Sequence, residues 1–195
     1  RARGGQFHAV FDGAVTVALD AGTTVASLAG MLHSGSTIIS HSAPVIQAAI
    51  ERHDVELVAV GGVYQAEARS FAGATARRTI ADYSVDVAVL SATAVDTRGI
   101  LCANALDAEL KQELARAARM TVLLVDHSKL GARAPIRVGG LDLVDAILTD
   151  AGADPDDVRA LREAGATVIV AGEPFDASLR SGAAHAPASD EPGVG

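Results

Sequence analysis

The chain has 195 residues, 49% of them hydrophobic and only 3% aromatic, with a formal net charge of −8. That is enough for one α/β domain with a sizeable core or two very small ones, built from Ala, Val, Leu and Ile, residues suited to parallel strands covered on both faces. The acidic balance argues against a duplex-binding surface, the single Cys102 against a disulfide framework or a Cys-rich metal site, and the apolar runs are too short to cross a membrane.

The chain opens on "RARGG" rather than Met, and no secretory leader follows, so residues 1–14 read as a linker from an upstream segment and a cytoplasmic protein is expected. Seven Val/Ile/Leu-rich runs predict strands: 15–19, 37–39, 55–60, 85–90, 121–125, 143–148 and 167–171. Helical patterns lie between them. Val25, Leu28, Ala29 and Leu32 share one face. Ile46, Ala49, Ile50 and His53 share another, behind Ser42 as a cap. Asp107 is the expected cap of a helix burying Leu110, Leu114 and Ala117, and Asp154-Pro155 opens a last one that buries Val158 and Leu161 and ends at Gly165. This alternation predicts right-handed βαβ units and a doubly wound, mostly parallel α/β sheet over residues 15–172. From Glu173 onward the periodicity is lost, and residues 173–195 read as a mobile tail.

Ligands of open α/β sheets sit beyond the carboxyl ends of the strands. Four loops there carry the unusual polar residues. In "LDAGTT", Gly22 permits a tight turn, while Thr23 and Thr24 bring hydroxyls beside the unpaired amides of a helix start, a seat for phosphate or carboxylate. Asp20 would repel such an anion, so it is expected to tie the loop's own N–H groups or to accept a sugar hydroxyl. The same corner fits equally a capped turn with no ligand. In "VGGVYQAEARSFAG", Gly61 and Gly62 allow close backbone approach, and the polar stretch is either a lid or a plain connection. In "SATAVDTRGILCANALDAELK", Ser91, Thr93 and Asp96 follow a strand, and Lys111 stands four residues after Asp107, the spacing of an ordinary surface ion pair. In "VDHSKLG", Lys129 can neutralise an anion placed by the first loop or lie solvated; the adjacent Asp126, His127 and Ser128 do not make a hydrolytic triad. His8, His33, His41, His53 and His185 show no metal-ligand spacing, and neither a metal nor another cofactor is expected.

Taken in order, "LDAGTT", "GG" with a later "FAG", "D-x-x-G" with "DAELK", and "DHSKLG" followed by "DAILTD" resemble the effector-binding domain of the DeoR family of bacterial transcriptional regulators, over roughly residues 15–171. The resemblance implies a fold like that of ribose-5-phosphate isomerase, glucosamine-6-phosphate deaminase and the CoA-transferases. It also implies a sensor of a phosphorylated sugar or similar small anion that forms homo-oligomers, dimers or tetramers. DNA would be contacted only through an N-terminal helix-turn-helix preceding Arg1, with no membrane partner and no enzymatic role. Carried over residue by residue, the ligand shell is Asp20, Gly22, Thr23 and Thr24; Gly61 and Gly62; Ser91, Ala92 and Asp96; Glu109 and Lys111; Asp126, Ser128 and Lys129. Two features depart from the family pattern. Ser91-Ala92-Thr93-Ala94 stands where glycines usually follow the strand, so side chains are expected where backbone would meet the ligand, and "QFHAVFDG" is short for the helix usually found before the first strand. Alternatives on the same scaffold are a sugar-phosphate isomerase or deaminase, with Asp96 or Glu109 and Lys111 as its machinery, and an oligomerisation module with a vestigial pocket.

Overall fold

The computed structural model describes residue 13 and residues 15–174. Apart from Gly13, the expected linker at residues 1–14 lies outside the described residues, as do the short segment before the first strand and all of the tail beyond residue 174. In chain order the elements are β1 (Thr16–Leu19), α1 (Thr23–Ala26), β2 (Thr37–Ser40), α2 (Ala43–Ile50), β3 (Glu56–Ala59), β4 (Val63–Gln65), β5 (Ser70–Ala72), α3 (Ala74–Ala81), β6 (Val85–Leu90), β7 (Ala94–Asp96), β8 (Gly99–Cys102), α4 (Ala105–Ala117), β9 (Ala118–Leu124), β10 (Ile136–Gly139), β11 (Ala146–Thr149), α5 (Pro155–Glu163) and β12 (Val168–Val170). Short 3-10 turns cover His127–Lys129 and Leu141–Leu143.

Seven strands form one sheet in the order β12-β11-β9-β6-β1-β2-β3, with every pair parallel. The chain starts in the middle at β1, winds outward to β3, then returns to the other side of β1 as β6. The strand order therefore reverses between β1 and β6, the crevice where doubly wound sheets place ligands. The pairing Leu19↔Val89 sets the ends of these two strands side by side. This is the doubly wound α/β fold expected from the strand–helix alternation.

Both faces of the sheet are buried, which is why its strands read as apolar runs rather than alternating patterns. On one face Ala18, Ile39, Ala88, Leu90, Leu123 and Ile147 pack against Ile80 of α3, Leu110 and Leu114 of α4, and Val158 and Leu161 of α5. On the other face Val17, Leu19, Ile38, Val87 and Val89 pack against Val25, Leu28, Leu32, Val45 and Ala49.

Several local expectations shift. Val25, Leu28, Ala29 and Leu32 are buried as the spacing requires, but the α-helix spans only Thr23–Ala26. The Ser27 hydroxyl donates to the Thr24 carbonyl at 2.7 Å, and the Leu28 N–H turns back to Val25 at 2.9 Å, so side-chain competition ends the α-helical ladder. In α2 the buried residues are Val45 and Ala49, whereas Ile50 is 62% exposed; Ser42 occupies the N-cap position without a side-chain capping bond. Asn104, not Asp107, caps α4, accepting the Asp107 N–H at 2.9 Å. The 143–148 run splits into a 3-10 turn and β11. Asp154 caps α5 as expected, and Gly165 follows its end at φ +94°.

Two small antiparallel sheets went unread in the sequence, β4-β5 and β10-β8-β7. The stretch expected as a lid or plain connection is the β4–β5 hairpin, in which Val63 pairs with Ala72. Gly62 serves the base of this hairpin: its φ is +145°, and a Cβ there would lie 2.5 Å from the Ala72 carbonyl oxygen. Gly61 has nothing within 4 Å of such an atom. Gly62→Ala is therefore expected to cost about 2–4 kcal/mol of unfolding free energy, from backbone strain plus a backbone clash. Gly61→Ala should stay within about 0.5 kcal/mol of the parent, as an exposed substitution does. Urea denaturation of both variants checks the contrast.

Candidate functional site

β1 and β6 deliver Asp20 and Ser91 to neighbouring strand ends, with the Asp20 N–H bonded to the Val89 carbonyl at 3.0 Å. Asp20 is completely buried. Its Oδ2 accepts the Ser91 N–H at 2.7 Å, the Ser91 hydroxyl at 2.8 Å and the Lys111 ammonium at 2.5 Å. Its Oδ1 faces Nε2 of His41 at 3.1 Å, and Nδ1 of that ring donates to the Phe71 carbonyl at 3.1 Å. Both nitrogens of the buried imidazole thus lie within hydrogen-bond distance of an oxygen. Lys111, 1% exposed, also reaches Asp107 at 3.1 Å, one helical turn back.

This corrects two expectations. The Asp107–Lys111 spacing does produce an ion pair, but Lys111 points inward over the sheet end and its shorter contact is to Asp20. Asp20 does not tie its own loop: its partners come from the ends of β2 and β6 and from α4. The N–H groups of Gly22, Thr23 and Thr24 consequently have no hydrogen-bond partner among the described residues. Gly22 leaves room for Ser91, whose Cβ would lie 2.8 Å from a Cβ at position 22. Ser91 therefore braces the first loop, with its Oγ also 2.6 Å from the Ala21 carbonyl.

An open cleft of about 760 Å³ lies over these strand ends. Of the expected ligand shell it is lined by Gly22, Thr23, Thr24, Ser91, Ala92, Lys111, Asp126 and Lys129, together with Asn104, Asp107 and the hairpin tip Glu67-Ala68-Arg69. Lys129 is half-buried on the turn after β9, and its ammonium has no ion pair or hydrogen bond with any described residue. Asp126 accepts the Ser128 N–H at 3.0 Å and the Ser128 hydroxyl; those bonds, with the Lys129 charge, hold its carboxyl below the usual range. The remaining expected residues fall outside the lining. Gly61 and Gly62 sit at the hairpin base, Asp96 is bound by Arg98 at 2.8 Å, Glu109 by Arg77 at 2.7 Å, and Ser128 is turned to Asp126. Asp96 and Glu109 lie outside the lining that includes Lys111, and all three side chains are held in ion pairs. Sequence reading missed His41 and Arg69. His41 follows the end of β2 as Asp20 follows β1, the positional signal that would have found it.

Beside the cleft, and sharing Thr24, Leu124, Val125 and Asp126 with it, is a smaller notch of about 70 Å³ walled by Leu28, Met31 and Leu148. Its walls are mostly apolar, with no lysine or arginine among them, whereas Arg69, Lys111 and Lys129 line the larger cleft.

Burial pushes the Asp20 carboxyl upward, but the Lys111 charge and the His41 contact outweigh it and hold Asp20 well below the usual carboxylate range. Burial likewise lowers the Lys111 ammonium, and Asp20 and Asp107 outweigh it, leaving Lys111 above its usual value. Asp107 is raised, by burial and by the like charge of Asp20, against the pull of Lys111. The depressed Asp20 contributes stability that is present above its unfolded value and lost as pH falls toward the folded one. The raised Lys111 contributes stability present below its unfolded value and lost as pH rises through the folded one. The raised Asp107 has the opposite sign to Asp20, since its ionised form costs stability above the unfolded value. Unfolding free energy is expected to be highest between about pH 5 and 9 and to decline below about pH 4 and above about pH 10. Lys111→Met should cost about 3–5 kcal/mol by leaving a buried charge unpaired. Asp20→Asn/Lys111→Met should cost less than the sum of the single changes, with a flatter acid limb. Urea titrations across pH measure each.

Residues 8–151 match the family described as the DeoR C terminal sensor domain. The HTH-type transcriptional regulator YulB of Bacillus subtilis (strain 168) is 32% identical over 152 residues, covering 75% of this chain and 58% of that protein. The HTH-type transcriptional repressor GlcR of the same organism is 29% identical over 135 residues, covering 69% and 52%. The glycerol-3-phosphate regulon repressor of Escherichia coli (strain K12) is 27% identical over 139 residues, covering 70% and 55%. The chain thus spans between half and three fifths of the length of these curated relatives. The family is one of sensor domains rather than enzymes, and with the switch-point cleft and the ordered loop motifs in agreement, this chain belongs to the DeoR C terminal sensor domain family.

Proposed function

We propose that this chain is the effector-sensing part of a DeoR-type transcriptional regulator and that its ligand is a phosphorylated sugar or a related small anion. The observation that carries the reading is the cluster of unpaired donors at the switch point: the amides of Gly22, Thr23 and Thr24 beside the unpaired ammonium of Lys129. An anion is the ligand that satisfies all of them at once. Helix α1 has only four residues, so the donors are local amides and a lysine rather than a long helix dipole. Thr23, Thr24 and Asn104 offer hydroxyl and amide groups to a polyol, and Asp107 and Asp126 offer acceptors at the same rim. A relative named for a glycerol-3-phosphate regulon fits the same chemistry. An open cleft of about 760 Å³ weighs against a vestigial pocket filled by Ser91 and Thr93.

In this reading residues 15–172 form the sensing domain, the protein is cytoplasmic and homo-oligomeric, and DNA is contacted by an N-terminal helix-turn-helix outside this chain, the type named in two of the relatives. Effector binding changes DNA affinity only through its differential affinity for two arrangements of the protein. Among the described residues, no helix is long and apolar enough to cross a membrane.

Isothermal titration of the chain with a panel of sugar phosphates, sn-glycerol 3-phosphate and their unphosphorylated parents tests this. At least one phosphorylated compound should bind, its parent should bind more weakly, and Lys129→Ala should weaken binding by about 10-fold or more, the worth of one charge-assisted contact. Equal binding of phosphorylated and parent compounds, or no binding of any phosphorylated compound, would overturn the reading.

A further inference from the structure

The β4–β5 hairpin carries a second unpaired cation to the cleft. Arg69 at its tip is exposed, lines the cleft, and makes no side-chain hydrogen bond or ion pair with any described residue. Its backbone, by contrast, is held. The Arg69 carbonyl accepts the Ala43 N–H at 2.9 Å, and Ser42 bridges to Ser70. Two residues further on, Phe71 donates its N–H to the His41 carbonyl at 2.8 Å and accepts from the His41 ring, which in turn meets Asp20. The hairpin is thus anchored to the same buried carboxylate that shapes the first loop.

Arg69 has φ +50°, and among the described residues it is the one non-glycine in the left-handed region. An Arg there costs more than Gly would, and such strain persists where the surroundings impose it. The strand order adds a geometric argument. Lys129 follows β9 and the free amides follow β1, while Arg69 is tied to the turn after β2. With about 4.8 Å between neighbouring strands, the two cations stand on opposite sides of the β1 corner, two strands away and one strand away. Both line the same cleft as the corner.

We infer that Arg69 is a specificity-determining residue that clamps the anionic group of the effector from the hairpin side, completing a site formed by the Gly22–Thr24 amides and Lys129. This rests on the anion-binding reading above. The ligand class is a monoester phosphate, or another oxyanion with two free oxygens, because a guanidinium fork recognises a pair of oxygens in one plane. The hairpin supplies the charge on a preset backbone, so little chain ordering remains to be done on binding.

The test uses the 195-residue chain and inorganic phosphate as probe, read by isothermal titration, with Arg69→Ala, Arg69→Lys, Arg69→Gly and Lys129→Ala. Arg69→Ala is expected to weaken phosphate binding by about 10-fold, and Arg69→Lys by less, since it keeps the charge and loses the fork. Arg69→Gly is expected to lose affinity like Arg69→Ala while raising the melting temperature, because glycine relieves the positive φ. A merely structural role would not separate affinity from stability in this way. Phosphate binding unchanged in Arg69→Ala but lost in Lys129→Ala would overturn the clamp and leave the anion-site reading intact. No phosphate binding by the parent chain, with every sugar phosphate silent as well, would remove both.

Discussion

The Asp20 carboxylate is the point on which the carboxyl end of the sheet is organised. A charge with no solvent contact is tolerated only when opposite charge and hydrogen bonds replace its hydration, and here the replacements come from three other parts of the chain. Ser91 at the end of β6 gives a backbone N–H and a hydroxyl, Lys111 on α4 gives an ammonium, and His41 at the end of β2 gives a ring nitrogen. Because these groups hold Asp20, it has no bond to spare for the loop that follows it. The amides of Gly22, Thr23 and Thr24 stay unpaired for that reason, and they face a cleft instead of a capping carboxylate.

The same network separates the charges that line the cleft into paired and unpaired ones, with Glu67, Asp107 and Asp126 set against Arg69, Lys111 and Lys129. The formal charge of −8 is a global sum, whereas the local field at a strand end depends on a few groups within one Debye length. Lys111 contributes little to a ligand directly, since Asp20 and Asp107 neutralise it. Lys129 and Arg69 line the cleft from different elements and make no ion pair with a described residue, although the Lys129 charge helps to hold the Asp126 carboxyl low. Of the acids at the rim, Asp126 is already bonded to Ser128 and its charge lies beside Lys129, which leaves the amide corner the least repulsive position for an anion.

The two small antiparallel sheets flank the strand ends, and the tip of one of them lines the cleft. The β4–β5 hairpin stands at the β2 side, and its base is tight enough that Gly62 admits no side chain. The β7–β8 hairpin and β10 stand over the other half, where Gly99, at φ +140°, lies against the Gly139 carbonyl. Neither belongs to the parallel sheet, and both are short excursions inserted into its crossovers.

Much of this was legible in the amino-acid order. The apolar runs located all seven strands of the main sheet, since strands buried on both faces are continuously apolar and even the largely unburied edge strand β3 keeps a short Leu-Val-Ala run, and the Asp154-Pro155 helix start followed from local capping chemistry. The placement of Gly22, Thr23, Thr24 and Lys129 around one cleft also followed, since all lie directly after strands of a parallel sheet. The three-residue strands β4, β5 and β7 could not be read, being too short for any period to register, and α3 buries only Ala76 and Ile80. Asp107, four residues away in the chain, was legible as a partner of Lys111, whereas Asp20 is 91 residues away and meets it only through the tertiary fold. Composition and periodicity thus determined the sheet and the end of it over which the cleft opens. Which charges neutralise each other, and which are left for a ligand, was decided by tertiary structure alone, because the energy of a buried charge depends on distances in space that residue order does not encode.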